Sequence, residues 1–149
     1  MRRALAGLLA TLIAAAVLIA CSGGGIPKHE GQQKQRDRYA SYAGPPIDSL
    51  TWLGRYDSWE SIGDNQLVLF TTPFDAYLLR VRPPCNDLNF AQAIGLTSTG
   101  NTVSARLDSV TVKNMRCPIA EIRKVDYQRM QADMRAEAAK AKADGATQQ

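Results

Sequence analysis

The chain has 149 residues, 45% hydrophobic and 21% charged, which suffices for one compact domain and not for two. Its 18 Lys and Arg outnumber 14 Asp and Glu by a formal +4. Arg2 and Arg3 carry half of that excess, and no later block has the basic footprint of a nucleic-acid binder. One histidine and three cysteines also exclude zinc-ligand clusters and most catalytic triads.

Met1-Arg2-Arg3 gives the N-terminus a positive start, and Ala4 to Ala20 is then free of charge. As a helix that stretch rises about 25 Å, short of the ~30 Å hydrocarbon core of a bilayer. It is Ala-rich and interrupted by Gly7 and Thr11, so residues 1–20 read as a secretory signal peptide. Its end, Leu18-Ile19-Ala20-Cys21-Ser22, resembles the lipobox of bacterial lipoproteins. In that chemistry a thiol placed after a small residue takes a diacylglyceryl group, and the chain is cut before the cysteine. The resemblance implies lipid attachment at Cys21, usually with an acylated amine, and two or more acyl chains hold a protein firmly on its membrane. By the same resemblance, Ser22 in place of an aspartate favours the periplasmic face of the outer membrane over the inner one. Two other readings remain: an uncleaved anchor with Cys21 just outside it, or an ordinary cut near Ala14-Ala15-Ala16.

Residues 21–49 are expected to be an acylated flexible tether. They open Ser22-Gly23-Gly24-Gly25 and continue through Lys28-His29-Glu30-Gly31-Gln32-Gln33-Lys34-Gln35, with little apolar surface to offset the entropy of ordering. The histidine lies here, where nothing fixes its geometry for catalysis.

Residues 50–125 carry the expected β-rich domain. Gln66 to Thr71 is a short strand-like run after the turn residues Gly63-Asp64-Asn65. Ala76 to Arg82 alternates, placing Tyr77, Leu79 and Val81 on one face and Leu78, Arg80 and Arg82 on the other, and Pro83-Pro84 ends it. Asn86 to Gln92 suits one or two helical turns. After the turn Ser98-Thr99-Gly100-Asn101 come strands at Val103–Leu107, Val110–Val112 and Ile119–Arg123. About five strands at such turn spacings predict a small antiparallel sheet, an α+β and mostly β fold. Residues 126–149 complete it as a C-terminal helix with a frayed tail, capped by Asp126 and presenting Met130, Met134 and Ala138 at helical spacing.

If Cys21 is acylated, Cys85 and Cys117 form an even pair in an oxidising compartment and are expected to be bonded. A redox couple is the competing reading, although no Cys-x-x-Cys spacing supports it.

No reaction declares itself. The sequence has no Gly-x-Ser-x-Gly elbow, no Gly-rich phosphate loop and no calcium loop. Asp57, Glu60, Asp64, Asp75, Asp87, Asp108 and Glu121 supply carboxylates enough for a hydrolase, but a pair of them must share one cleft. Arg80, Arg82, Arg106 and Arg123 are candidate contacts for anionic ligands or cell-wall carboxylates; as a solvated face they would pair with Asp108 and Glu121. Trp52 and Trp59, with Tyr56, are either a contact platform or core.

The stretch from Trp59 to Asp126 resembles an uncharacterised family of small proteobacterial lipoproteins. The resemblance rests on Trp59 with Gly63-Asp64, on Ala76-Tyr77-Leu78-Leu79, on Pro84-Cys85 with Asp87-Leu88 and Phe90-Ala91, and on Ile94-Gly95-Leu96-Thr97-Ser98. It continues through Arg106 with Asp108 to Cys117, Ile119, Ile122-Arg123 and Val125-Asp126. The family carries proline where this chain has Lys124. The resemblance implies export, anchoring and the disulfide, and brings no catalytic, cofactor or metal residue. The expected function is therefore a non-enzymatic interaction or structural role in the cell envelope. Its partners would be the membrane, through the acyl chains, and envelope proteins or peptidoglycan. A carboxylate-dependent hydrolase of envelope polymers and a binder of small anionic ligands are the alternatives.

Overall fold

A computed structural model describes residues 28–51 and 53–146. Residues 1–20, Cys21 and Trp52 lie outside the described residues, and so do the readings that fall on them.

The first element is the helix α1 (Lys28–Ser41), followed by strands β1 (Ala43–Ile47) and β2 (Ser49–Thr51). The expectation of a flexible tether through residue 49 is thus wrong from Lys28 onward. The physical reason is that α1 docks through polar contacts, which an argument from apolar burial does not count. Tyr39 is its buried anchor, and Tyr39 and Gln35 both donate to Glu60. Arg36 reaches the carbonyl of Ile62 with Nη1 at 3.2 Å. Gly63 permits that approach, because a Cβ there would stand 2.7 Å from Arg36 Nη1.

Strands β3 (Ser58–Gly63), β4 (Gln66–Phe70) and β5 (Ala76–Val81) form an antiparallel meander. A 3-10 turn at Leu88–Phe90 and the short strands β6 (Gly95–Leu96), β7 (Thr102–Ser104) and β8 (Ser109–Val112) follow. The long strand β9 (Met115–Val125) and the helix α2 (Tyr127–Ala146) close the fold. The main sheet runs β3-β4-β5-β9-β8-β6, with β1 also paired to β9, and β2 pairs separately with β7. The mostly β, antiparallel architecture with a C-terminal helix is as expected, with more strands than five.

β9 is the spine. Its first half pairs with β8 and its second half lies between β5 and β1. The register slips by one residue at Ala120, since Arg80 faces Glu121 while Val81 faces Ile119. That bulge bends the strand and turns Ile119 and Ile122, three apart, into the same core. The expected strand Ile119–Arg123 is therefore only the middle of a longer one that passes through Pro118. The expected strand Val103–Leu107 stops at Ser104: Arg106 takes a positive φ of 70°, and Leu107 is left 85% exposed.

Both faces of the meander are buried. Leu67, Leu69, Leu79, Val81 and Ile122 face a larger core closed by β2, β7 and β8, and Val68, Phe70, Ala76 and Leu78 face a smaller one under the two helices. Covering on both sides explains why Leu67 to Phe70 is an unbroken apolar run rather than an alternating one. Cys85 and Cys117 are fully buried in the larger core and joined by a disulfide, with Cα atoms 5.7 Å apart.

Candidate functional site

The pairing of β5 with β9 places Arg80 opposite Glu121 and Leu78 opposite Arg123. Alternation then puts Arg80, Glu121 and Arg123 on the helix-covered face, beyond the end of α1. Glu121 is the hub: Arg80 donates through Nη2 to one of its oxygens and Arg123 through Nε to the other. These two bonds, that from Arg80 foremost, hold the Glu121 carboxyl below the usual carboxylate range. Beside the cluster is a recess of about 280 Å³, to whose walls Ala40, Ala43, Gln66 and Leu78 also contribute. Arg80 and Arg123 remain partly open to solvent, with side chains 55% and 39% exposed.

The four arginines of the sequence reading are thus not one row. Arg106 pairs with Asp48 at 3.2 Å on the exposed surface, beside a separate recess that shares only Glu121 with the first. Arg82 lies beyond β5, where its amide donates to the carbonyl of Pro118, and its side chain is in no ion pair among the described residues. Pairing of this face with Glu121 is as expected; pairing with Asp108 is not. Asp108 is buried and accepts from the Thr97 hydroxyl at 2.9 Å and the Ser104 amide at 2.7 Å, which pins the turn between β7 and β8.

Trp59 is half-buried against the larger core, and the Tyr56 hydroxyl donates to the carbonyl of Ile94 at 2.9 Å. Both rings pack against the larger core. Trp59 also borders a groove of about 420 Å³ with Asp57, Glu60 and Tyr39. Its two carboxylates have other work: Glu60 receives Gln35 and Tyr39, and Asp57 accepts from the Ser58 hydroxyl at 3.3 Å. Burial and the adjacent Glu60 carboxylate push the Tyr39 phenol well above its ordinary value.

A recess of about 670 Å³ lies where α1 ends, β1 begins and α2 starts, with the exposed ring of Phe74 in its wall. Its acidic groups are also engaged. Asp75 pairs with Lys124 at 3.3 Å and accepts from the Thr72 hydroxyl at 3.1 Å, while Asp126 caps α2 by accepting the Arg129 amide at 3.2 Å. Hydrolysis by paired carboxylates needs one with a raised pKa, and at Glu121 the shift is in the opposite direction. Among the described residues no group of three or more His, Cys, Asp or Glu is placed to hold a metal ion.

What sequence reading missed at the arginine cluster is Gln66 and the small residues Ala40 and Ala43. The signal for Gln66 is its place at the start of an expected strand; the alanines, one near the end of α1 and one opening β1, carry none, because both fall in the stretch expected to be a tether.

A family model described as a family of unknown function (DUF6491) matches residues 1–142. No curated protein and no solved structure matches the chain.

Proposed function

The chain belongs to the family of unknown function DUF6491, and on that footing we propose that it is a lipid-anchored protein of the bacterial envelope. It acts by holding other proteins or peptidoglycan rather than by catalysis. The observation that carries this reading is the buried Cys85–Cys117 disulfide. Structural disulfides persist in oxidising compartments and are rare in the cytosol, so a bond at the centre of the larger core fits an exported protein. The family match begins at residue 1, so the basic start, the apolar run and Cys21 fall within it.

Acylation at Cys21 then sets a short leash. The seven steps from Cys21 to Lys28 span at most about 25 Å, and α1, the first described element, starts at Lys28 rather than near residue 50. The domain stands close to the bilayer, on the periplasmic face of the outer membrane if Ser22 has its usual effect.

Metabolic labelling with palmitate tests the anchor. Label is expected on the wild-type protein and none on Cys21→Ala; a labelled mutant overturns the reading. For the partner, crosslinking in intact cells followed by purification is expected to recover envelope proteins or peptidoglycan fragments with the wild type. Recovery of the uncrosslinked chain alone counts against an interaction role.

A further inference from the structure

Arg80 and Arg123 are held side by side by one carboxylate, which takes a single N–H from each. A guanidinium has five N–H donors, and neither guanidinium bonds any group but Glu121 among the described residues. Glu121 neutralises one of the two positive charges and fixes both side chains, so the cluster keeps a net positive charge in a preset geometry. Gln66 faces Arg80 across the β4–β5 ladder and brings an amide to the same recess. Donors therefore approach from β4, β5 and β9, while Ala40 and Ala43 leave space where α1 ends. A planar carboxylate uses two directions, and a tetrahedral oxyanion can take donors from all of these.

We propose that the recess between Arg80 and Arg123 binds a phosphate-type oxyanion, carried by a small phosphoester or by a phospholipid headgroup. About 280 Å³ suits such a group and not a folded partner. The anion completes the charge balance that Glu121 leaves half done, and bidentate geometry makes arginine the suitable donor. The site does not depend on acylation of Cys21.

The test uses isotope-labelled protein, purified at full natural length in a neutral detergent and titrated at constant ionic strength with inorganic phosphate and with glycerol 3-phosphate. NMR follows the Nε–H signals of Arg80 and Arg123 and the Gln66 amide, with Arg82 and Arg106 as internal references. Saturable shifts are expected at Arg80, Arg123 and Gln66, and not at the references. Affinity should fall about tenfold in Arg80→Gln and in Arg123→Gln, as for loss of a charge-assisted bond. It should rise in Glu121→Gln, whose amide oxygen still accepts from a guanidinium while the competing negative charge is gone. Backbone spectra of β4 and β5 confirm that each variant is folded. Shifts that never saturate, that appear equally at Arg82 and Arg106, or that weaken in Glu121→Gln overturn the proposal. Titration of phosphatidylglycerol into the same detergent micelles, which hold the acyl anchor in every variant, identifies the source of the anion. Binding lost in the arginine variants supports a lipid headgroup, and phosphate shifts without such loss support a soluble phosphoester.

Discussion

Glu121 shows how one carboxylate sets the properties of a surface. Between two guanidiniums its folded-state pKa lies below the ordinary 4.5, so the folded chain holds this proton less readily than the unfolded chain does. The stabilisation is present above the unfolded value and is lost as pH falls through the folded one. Glu121→Gln removes that dependence. Urea denaturation from pH 7 down to about pH 3 is expected to show wild type more stable than the variant at neutral pH, with the gap closing in acid. A gap of constant size across that range would mean that the two arginines do not favour the ionised form.

At the scale of elements, α2 divides into a docked half and a solvated one. Asp126 caps it, Met130 is buried at 2% exposure and Met134 is half-buried, and from Glu137 on its described side chains are exposed. Met130→Ala is expected to cost about 2–5 kcal/mol, the range for emptying a buried site. Ending the chain after Ala136 should cost less than about 1 kcal/mol, because exposed turns contribute little beyond intrinsic propensity. Urea midpoints at fixed slope decide between them, and equal losses would show that the distal turns are packed. The same contrast explains what the sequence made legible. β4 presents an unbroken apolar run, and β5 and the start of α2 present apolar residues at the spacing of their element. β3 does not, because Glu60 and Ser61 meet Tyr39 and Asn89 through hydrogen bonds that no hydropathy pattern records. In α1 the residues that reach β3 include Gln35, Arg36 and Tyr39, only one of them a good core residue, and β1 carries Pro45 and Pro46. At the candidate site, the sequence names Arg80, Arg123 and their partner Glu121, but in one face with Arg82, Arg106 and Asp108, which the structure places elsewhere. The recess is not legible there, because Ala40 and Ala43 in its wall belong to α1 and β1, which polarity and prolines disguise.

For the molecule as a whole, the disulfide ties the segment after β5 to the first half of β9. Residues 85 to 117 contain the 3-10 turn, β6, β7 and β8, and supply Leu88, Ile94, Val103, Val110 and Val112 to the larger core. These strands are two to four residues long, so local pairing contributes little and closure by the Cys85–Cys117 bond matters correspondingly more. A loop closed over a separation of 32 residues is worth about 3–4 kcal/mol in the chain-entropy account, a large share of the roughly 5–15 kcal/mol that holds a domain together. The β3-β4-β5 meander with the second half of β9 has its own helix-covered core and lies outside that loop. Reduction, or the double variant Cys85→Ala with Cys117→Ala, is therefore expected to act unevenly. Hydrogen exchange should quicken first at Leu88 to Val112, while the amides of β4 and β5 keep most of their protection. Equal loss of protection in both parts would instead mean that the two cores unfold as one cooperative unit and that the bond braces the whole sheet.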